Sequence, residues 1–446
     1  MLSAFTSAFR TPDLRKKLLF TVAIVAVYRL GATLPSPGVS YTNVRNCIDT
    51  LDASNEGGGV LTLLNLFSGG ALLQLSVFAL GIMPYITASI ILQLLTVVIP
   101  RLEQLRKEGQ SGQAKITQYT RYLTLGLAVL QSSAFVALAR TGQLFANQCP
   151  QDNPEFQIIP ENTGIPMWLT LGMLVLTMTA GTGVVMWLGE LITDRGVGNG
   201  MSVLIFTSIA ARLPGEGWSI KESQGWGKFA LVVALVLVVI CAVVFIEQAQ
   251  RRIPVQYAKR MIGRRMYGGT STYIPLKVNQ AGVVPVIFAS SLLYLPQLYL
   301  QFFDPNNLNW YQQWIQNNLA NPSHWIYITV YFLMIIFFTY FYVSITFNPT
   351  EVADNMKKYG GFVPGIRPGR ATAEYLDYIL SRITTFGAIY LGLVAVLPYL
   401  LFSFTSSGNQ IPFGGTAVLI IVGVGLETVK QIESQLMQRN YEGFLR

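Results

Sequence analysis

The sequence predicts an all-α polytopic membrane protein of about ten transmembrane helices. Three observations carry that prediction. Of 446 residues, 52% are hydrophobic before the 40 glycines are counted, and only 12% are charged. Soluble domains have about 45–50% apolar residues with glycine included and about 25% charged ones. Apolar runs of near-membrane length recur along the whole chain, and lysine and arginine fall on alternate sides of those runs with a strong bias.

A bilayer crossing takes roughly 20 apolar residues of helix. Runs of that kind lie near 18–35, 75–99, 119–139, 166–188, 200–213, 229–249, 281–299, 325–346, 383–403 and 415–432. The first follows Arg15-Lys16-Lys17 directly and contains Arg29, which reads as a snorkelling or interhelix-bonded residue. No small-residue cleavage site with a mature domain follows it, so it is expected to stay with the chain. The fifth run is short and flanked by glycines, whereas Phe229 to Ile246 in the sixth carries no charge at all. Backbone groups in hydrocarbon must be satisfied internally, so the runs are helices rather than open strands.

Orientation follows from the basic residues. With the N-terminus inside, the inner side carries Arg10, Arg15, Lys16 and Lys17, then five basic residues between 101 and 121, Arg195, seven between 251 and 277, five between 357 and 382, and Lys430, Arg439 and Arg446. The outer side carries only Arg45, Arg140, Arg212, Lys221 and Lys228. Both termini are therefore expected inside, and the net charge of +9 faces the same way. Five runs fall in an N-terminal half, 1–213, and five in a C-terminal half, 229–446, joined by an external connection at 214–228. An odd number per half makes the halves inverted if they are repeats, and inverted repeats place a substrate path between them.

Residues 57–73 fit no span. About two turns of apolar helix lie between Gly57-Gly58-Gly59 and Gly69-Gly70, too short to cross. An interfacial surface helix and a re-entrant piece folded into the protein both fit the pattern.

Catalytic chemistry is not visible. The span interiors hold essentially no carboxylates, Glu190 and Glu427 lie near inner ends, and there is no phosphate loop or nucleophile elbow. The Gly-rich run 194–200 follows no strand and reads as a tight turn between helices. His324 is the single histidine, so a His/Cys metal cluster is not expected. Cys241 sits in an apolar run and reads as packing. Cys47 and Cys149 fall in stretches expected outside the membrane, and spacing leaves open whether they pair. No cofactor, metal or enzymatic activity is expected.

Two large basic inner loops stand out. Gln248 to Lys277 carries seven Lys/Arg and no acid, interleaved with Tyr257, Tyr267 and Tyr273. The second, 347–378, contains Ile366-Arg367-Pro368-Gly369, a tight turn that presents Arg367 outward because proline fixes φ and glycine permits φ > 0. Basic, aromatic-bearing protrusions suit an anionic partner such as RNA, an acidic protein surface or lipid headgroups. Ile82 and Ile86 share one helix face, as do Ile205 and Ile209. Such pairs form ordinary packing or, ringed around a pore, a constriction that gates by dewetting.

The stretches LNLFSGGAL (64–72), FALGIMPYITASIILQLLTVVIP (78–100), LGELITDRGVGNGMSVLIF (188–206), QRRIPVQYAKR (250–260), STYIPLKVNQAGVVPVIFASS (271–291), FNPTEVADNMKKYGGFVPGIRPG (347–369) and FGGTAVLIIV (413–422) closely resemble the bacterial SecY family, in order and along nearly the whole chain. The resemblance implies two inverted five-helix halves around a central pore in the bacterial cytoplasmic membrane, through which secretory polypeptides cross and from which transmembrane segments leave sideways into lipid. It implies a pore ring of Ile82, Ile86, Ile205, Ile209, Ile287 and Ile420, with Ile421 the neighbouring choice. It implies a plug at about 61–73, including Leu61, Leu64, Asn65, Phe67, Ser68, Gly69 and Gly70, and a lateral gate with polar contacts at Thr87, Gln131 and Asn279. Arg251, Arg252, Lys259, Arg260, Arg367 and Arg370 would dock the ribosome, including its RNA, and the SecA motor ATPase. SecE-like and SecG-like membrane subunits, signal peptides, nascent chains and membrane lipid complete the expected partners. An inverted-repeat secondary transporter is the alternative, but it calls for an intramembrane acid or substrate-binding charge.

Overall fold

A computed structural model describes residues 11–54, 68–141, 156–160, 166–257, 260–262, 265–267, 271–301, 309–319, 324–405 and 415–442. Helix α1 (Pro12–Thr33) begins at a proline, whose missing N–H is harmless in a first turn, with Asp13 beside it at the positive helix end. Helix α2 (Tyr41–Ser54) occupies a stretch expected as external loop and buries Val44 and Cys47. Cys47 is disulfide-bonded. Cys149 lies outside the described residues. Cys241, expected to pack, is an exposed free thiol.

The second span departs from expectation. Helix α3 (Met83–Val98) starts eight residues later than the apolar run suggests, and residues 68–82 form tight turns. Their backbone is satisfied by the chain beyond α1: Ser36 N–H donates to Leu75 O (3.1 Å) and Val77 N–H to Leu34 O (2.9 Å). Those cross-chain bonds permit non-helical backbone in the protein interior. Ala71, Leu72, Leu75, Ser76 and Phe78 are buried. At Gly181 an added Cβ would sit 2.0 Å from Val77 O, so this turned chain requires a glycine opposite it.

Helix α4 (Pro100–Lys107) follows α3 at a bend of 101°. Ile99, extended before Pro100, makes the break, as a residue preceding proline disfavours the helical region. Helices α5 (Gln110–Thr141) and α6 (Met167–Arg195) are long and apolar. Helix α7 (Gly200–Gln248) joins the expected spans five and six; its N-terminus is capped by Asn199 Oδ1, which accepts from Met201 N–H (3.1 Å), and it is broken at Gly225 (φ 79°, ψ 173°) within the expected 214–228 connection.

The C-terminal half holds α8 (Val284–Gln301), α9 (Trp310–Asn318), α10 (Trp325–Thr346), α11 (Pro349–Lys358), α12 (Arg370–Thr405) and α13 (Gly415–Glu442). His324 caps α10, its Nδ1 accepting from Ile326 N–H at 3.3 Å. Among the described residues, five stretches are long and apolar enough to cross a membrane on their own, and α3 with α4 makes a sixth. Of the remaining four spans, α1 begins with Arg15-Lys16-Lys17, the first part of α7 and of α8 is short, and α13 bears Glu427 and Lys430 toward its inner end. Together they make a ten-span bundle of two five-span halves.

The bundle is not purely helical. Strands β1 (Gln250–Tyr257), β2 (Arg260–Ile262), β3 (Arg265–Tyr267), β4 (Ser271–Lys277) and β5 (Gly361–Phe362) lie in the two basic loops. The order β4-β1-β5 is antiparallel throughout, with Ile253 opposite Ile274 and Tyr257 opposite Gly361, and β2 and β3 form a separate hairpin. Ile253, Val255 and Leu276 pack with Met356, Val363, Leu376 and Ile379 in a small core that fastens the sheet to α11 and α12. The two loops are thus one structure.

Candidate functional site

Three apolar cores fill the membrane region. One joins α2, the turned chain and α5–α6, and another joins α8, α10, α12 and α13 with Ile90 of α3. Between them lies the third, where the predicted ring residues meet. Ile82 caps α3, Ile205 and Ile209 lie one turn apart on α7, Ile287 is on α8 and Ile420 on α13; all five are buried in one cluster, with Ile86 half-buried against it. Ile420 is fully buried, whereas Ile421 is half-buried on the rim of the same cluster. The six isoleucines come from four separate elements, in a cluster that also takes in Tyr28 of α1 and Leu188 of α6, and sequence periodicity alone reveals only the α3 and α7 pairs.

A cavity of about 450 Å³ opens against this cluster. Ile86, Ile205 and Ile287 contribute its apolar wall, while Gln93, Arg121, Glu190, Asn199 and Ser202 contribute polar groups. The start of α5, the end of α6 and the start of α7 all reach it, so it lies toward the face that carries the basic loops. Arg121 Nε and one Nη donate to the two oxygens of Glu190, each at 2.8 Å. A bidentate fork of this kind fixes geometry as well as charge and joins α5 to α6 at the cavity wall.

The three polar residues expected at a lateral seam are not brought together by their hydrogen bonds. Thr87 donates to Met83 O of its own helix (3.0 Å), and Gln131 is half-buried on α5. Asn279 is buried in the C-terminal half, where its Nδ2 donates to Glu247 Oε1 (2.5 Å) and Gly282 O (3.1 Å). Glu247, at the end of α7, is a half-buried carboxylate that sequence reading missed; its place at the inner end of an apolar run, next to Gln248, was the available signal. The seam between α3 and the helices α8 and α10 is instead apolar, with Ile90 packed in the core that holds Phe288 and Phe338.

Ser68, Gly69 and Gly70 form a turn with Ser68 buried and both glycines at positive φ. Leu61, Leu64, Asn65 and Phe67 lie outside the described residues. On the basic face, Arg251 and Arg252 are exposed on β1, and the Arg252 guanidinium lies 4.8 Å from the Tyr273 ring centre. Arg367 is exposed between Gly365 (φ 84°) and Gly369 (φ 105°). Arg370, also exposed, pairs with Glu374 at 3.0 Å. Arg260 begins β2, and Lys259 lies outside the described residues. On α4, at the same face, the hydrogen bond and charge of Lys107 hold the Glu103 carboxyl below the usual carboxylate range.

A part-polar cavity thus abuts a buried isoleucine cluster inside a helical membrane bundle. The SecY family profile matches residues 76–429. Protein translocase subunit SecY of Streptomyces scabiei is 65% identical over 450 residues, and that of Mycobacterium bovis 62% over 452, each covering 100% of both chains. A solved structure described as that of a protein-conducting channel superposes with a TM-score of 0.62 at 18% identity, covering 94% of this chain and 91% of that one. Sec61 in the canine ribosome–channel complex from the endoplasmic reticulum superposes at 0.58, with 18% identity and the same coverage. The chain belongs to the SecY family, and it is a multi-pass membrane protein that forms a protein-conducting translocation channel.

Proposed function

We propose that the channel is sealed at rest by Ile82, Ile86, Ile205, Ile209, Ile287 and Ile420, that hydrophilic chain passes between them, and that apolar segments leave through the seam of α3 against α8 and α10. One observation supports this above the others: isoleucines from four separate elements converge beside the part-polar cavity. A ring of branched apolar side chains sheds water when empty and yields to a bulky guest. The segment about 61–73 serves as the plug, and 1–213 and 229–446 act as the two moving halves about the 214–228 connection. Both termini face the cytoplasm, as the basic bias requires.

The basic sheet and the Arg367 turn dock the ribosome and a SecA motor. Arg251, Arg252, Lys259, Arg260, Arg367 and Arg370 offer cations and aromatic stacking to RNA phosphates or an acidic protein face. The pore supplies a path and a seal, and energy comes from the docked partner. SecE-like and SecG-like subunits cover part of the lipid-facing surface; along Gly225–Gln248 its own chain leaves Leu231, Leu237, Val238 and Phe245 exposed and buries Val243. Purification from membranes in mild detergent tests the assembly. Two small membrane subunits should co-purify, and the complex in vesicles should import a signal-bearing precursor only with SecA and ATP. Import by this chain without them would overturn the division of labour.

A further inference from the structure

Arg29 lies within span 1 next to a buried polar pair. Its Nη1 donates to Gly69 O at 3.2 Å. The neighbouring Tyr28, fully buried, shares a 2.7 Å hydrogen bond with Ser208 Oγ, and Ser208 donates its own proton to Leu204 O at 3.0 Å, so the tyrosine is the donor. Ser208 precedes Ile209 on α7. A Cβ at Gly69 would stand 2.9 Å from Arg29 Nη1 and 3.3 Å from Ser208 Cα, so the turn is seated against both. The turn is itself stiffened: Leu72 N–H donates to Ser68 Oγ at 3.1 Å, and Gly69 and Gly70 hold φ values of 69° and 92°.

A guanidinium at this depth is costly unless its donors find acceptors, and a backbone carbonyl turned inward needs a donor. Gly69 O takes one of the five guanidinium donors here, in a charge-assisted bond about twice as strong as a neutral one. We propose that Arg29 is a positioning residue, a latch that holds the Ser68–Gly70 turn against Ser208 beside Ile209. The latch keeps the turned chain that ends on Ile82 in its resting place, so the isoleucine ring stays closed until a polypeptide prises it apart. The inference rests on the ring being the seal.

The test is resting ion conductance of the purified complex in planar bilayers. Arg29→Gln should raise the resting open fraction about tenfold, the effect of losing one charge-assisted hydrogen bond. Arg29→Lys, which keeps a cationic donor, should leak less than Arg29→Gln at equal thermal stability. A Gly69→Cys, Ser208→Cys pair, built with Arg29→Gln and Cys241→Ser, has its Cβ positions close enough for a bridge. Oxidation should close the leak and reductant reopen it, beside a control lacking the pair. A tight Arg29→Gln channel, or a leak that oxidation leaves unchanged, would overturn the latch. If the strained Gly69→Cys protein does not assemble, equal leak from the Lys and Gln variants overturns it. Ile420→Asn separates the two ideas: if it leaks and Arg29→Gln does not, only the latch fails, and if neither leaks, the ring is not the seal.

Discussion

Ile420→Asn probes the proposed constriction at a fully enclosed point. The Ile420 side chain is fully buried among Ile82, Ile205, Ile209 and Ile287. Its removal forfeits about 1.5–3 kcal/mol of apolar burial in the closed arrangement. The amide that replaces it adds a further cost of about 1–3 kcal/mol if it finds no partner there. In an opened, wetted ring the amide is hydrated and neither penalty applies in full. Taking about 2 kcal/mol as the net bias toward opening, the open fraction rises about thirty-fold. Export of a reporter with a weakened signal sequence, compared with one bearing a strong signal, reads this out. The weak-signal reporter should gain by an order of magnitude while the strong one changes little. Unchanged discrimination would show that Ile420 is ordinary packing and refute the reasoning.

The basic face and the turned chain supply three more tests. Arg367→Glu reverses an exposed charge at a glycine-framed tip, so SecA-driven export should fall several-fold while the protein itself still inserts; normal export would remove Arg367 from the docking surface. Val255→Asp buries a carboxylate in the core that joins β1 to α12. It should expose both basic loops together to limited proteolysis, at a cost of at least about 3 kcal/mol to the sheet, while the membrane bundle keeps its helix content. Protection of either loop would show that the two are independent. Deleting residues 61–73 should raise resting ion leakage, and a tight membrane would argue that this segment is a surface helix.

The spans were legible because hydrocarbon imposes a single requirement on every run, and Phe229 to Ile246 meets it with no competing signal. What escaped notice depends on partners distant in sequence. The turns at 68–82 replace an expected helical start because Leu34 and Ser36 satisfy their backbone. The sheet was hidden because each long strand carries a proline, Pro254 and Pro275, which argues against a strand, although Ile253 and Val255 carry the two-residue period. The ring pairs on α3 and α7 could be read from spacing, while Ile287 and Ile420 came from family resemblance. Asn279 was placed by resemblance at the lateral seam, and its bond to Glu247, 32 residues back along the chain, is a contact that spacing does not reveal.

Site-specific photocrosslinking to a polypeptide arrested in transit tests the central claim most directly. Probes at positions 82, 205, 209, 287 and 420 should all label the arrested chain, and probes at the lipid-facing positions Leu231, Leu237 and Phe245 should label lipid or neighbouring subunits. Labelling of the chain from the lipid-facing set, with the isoleucine positions silent, would contradict a path through the ring.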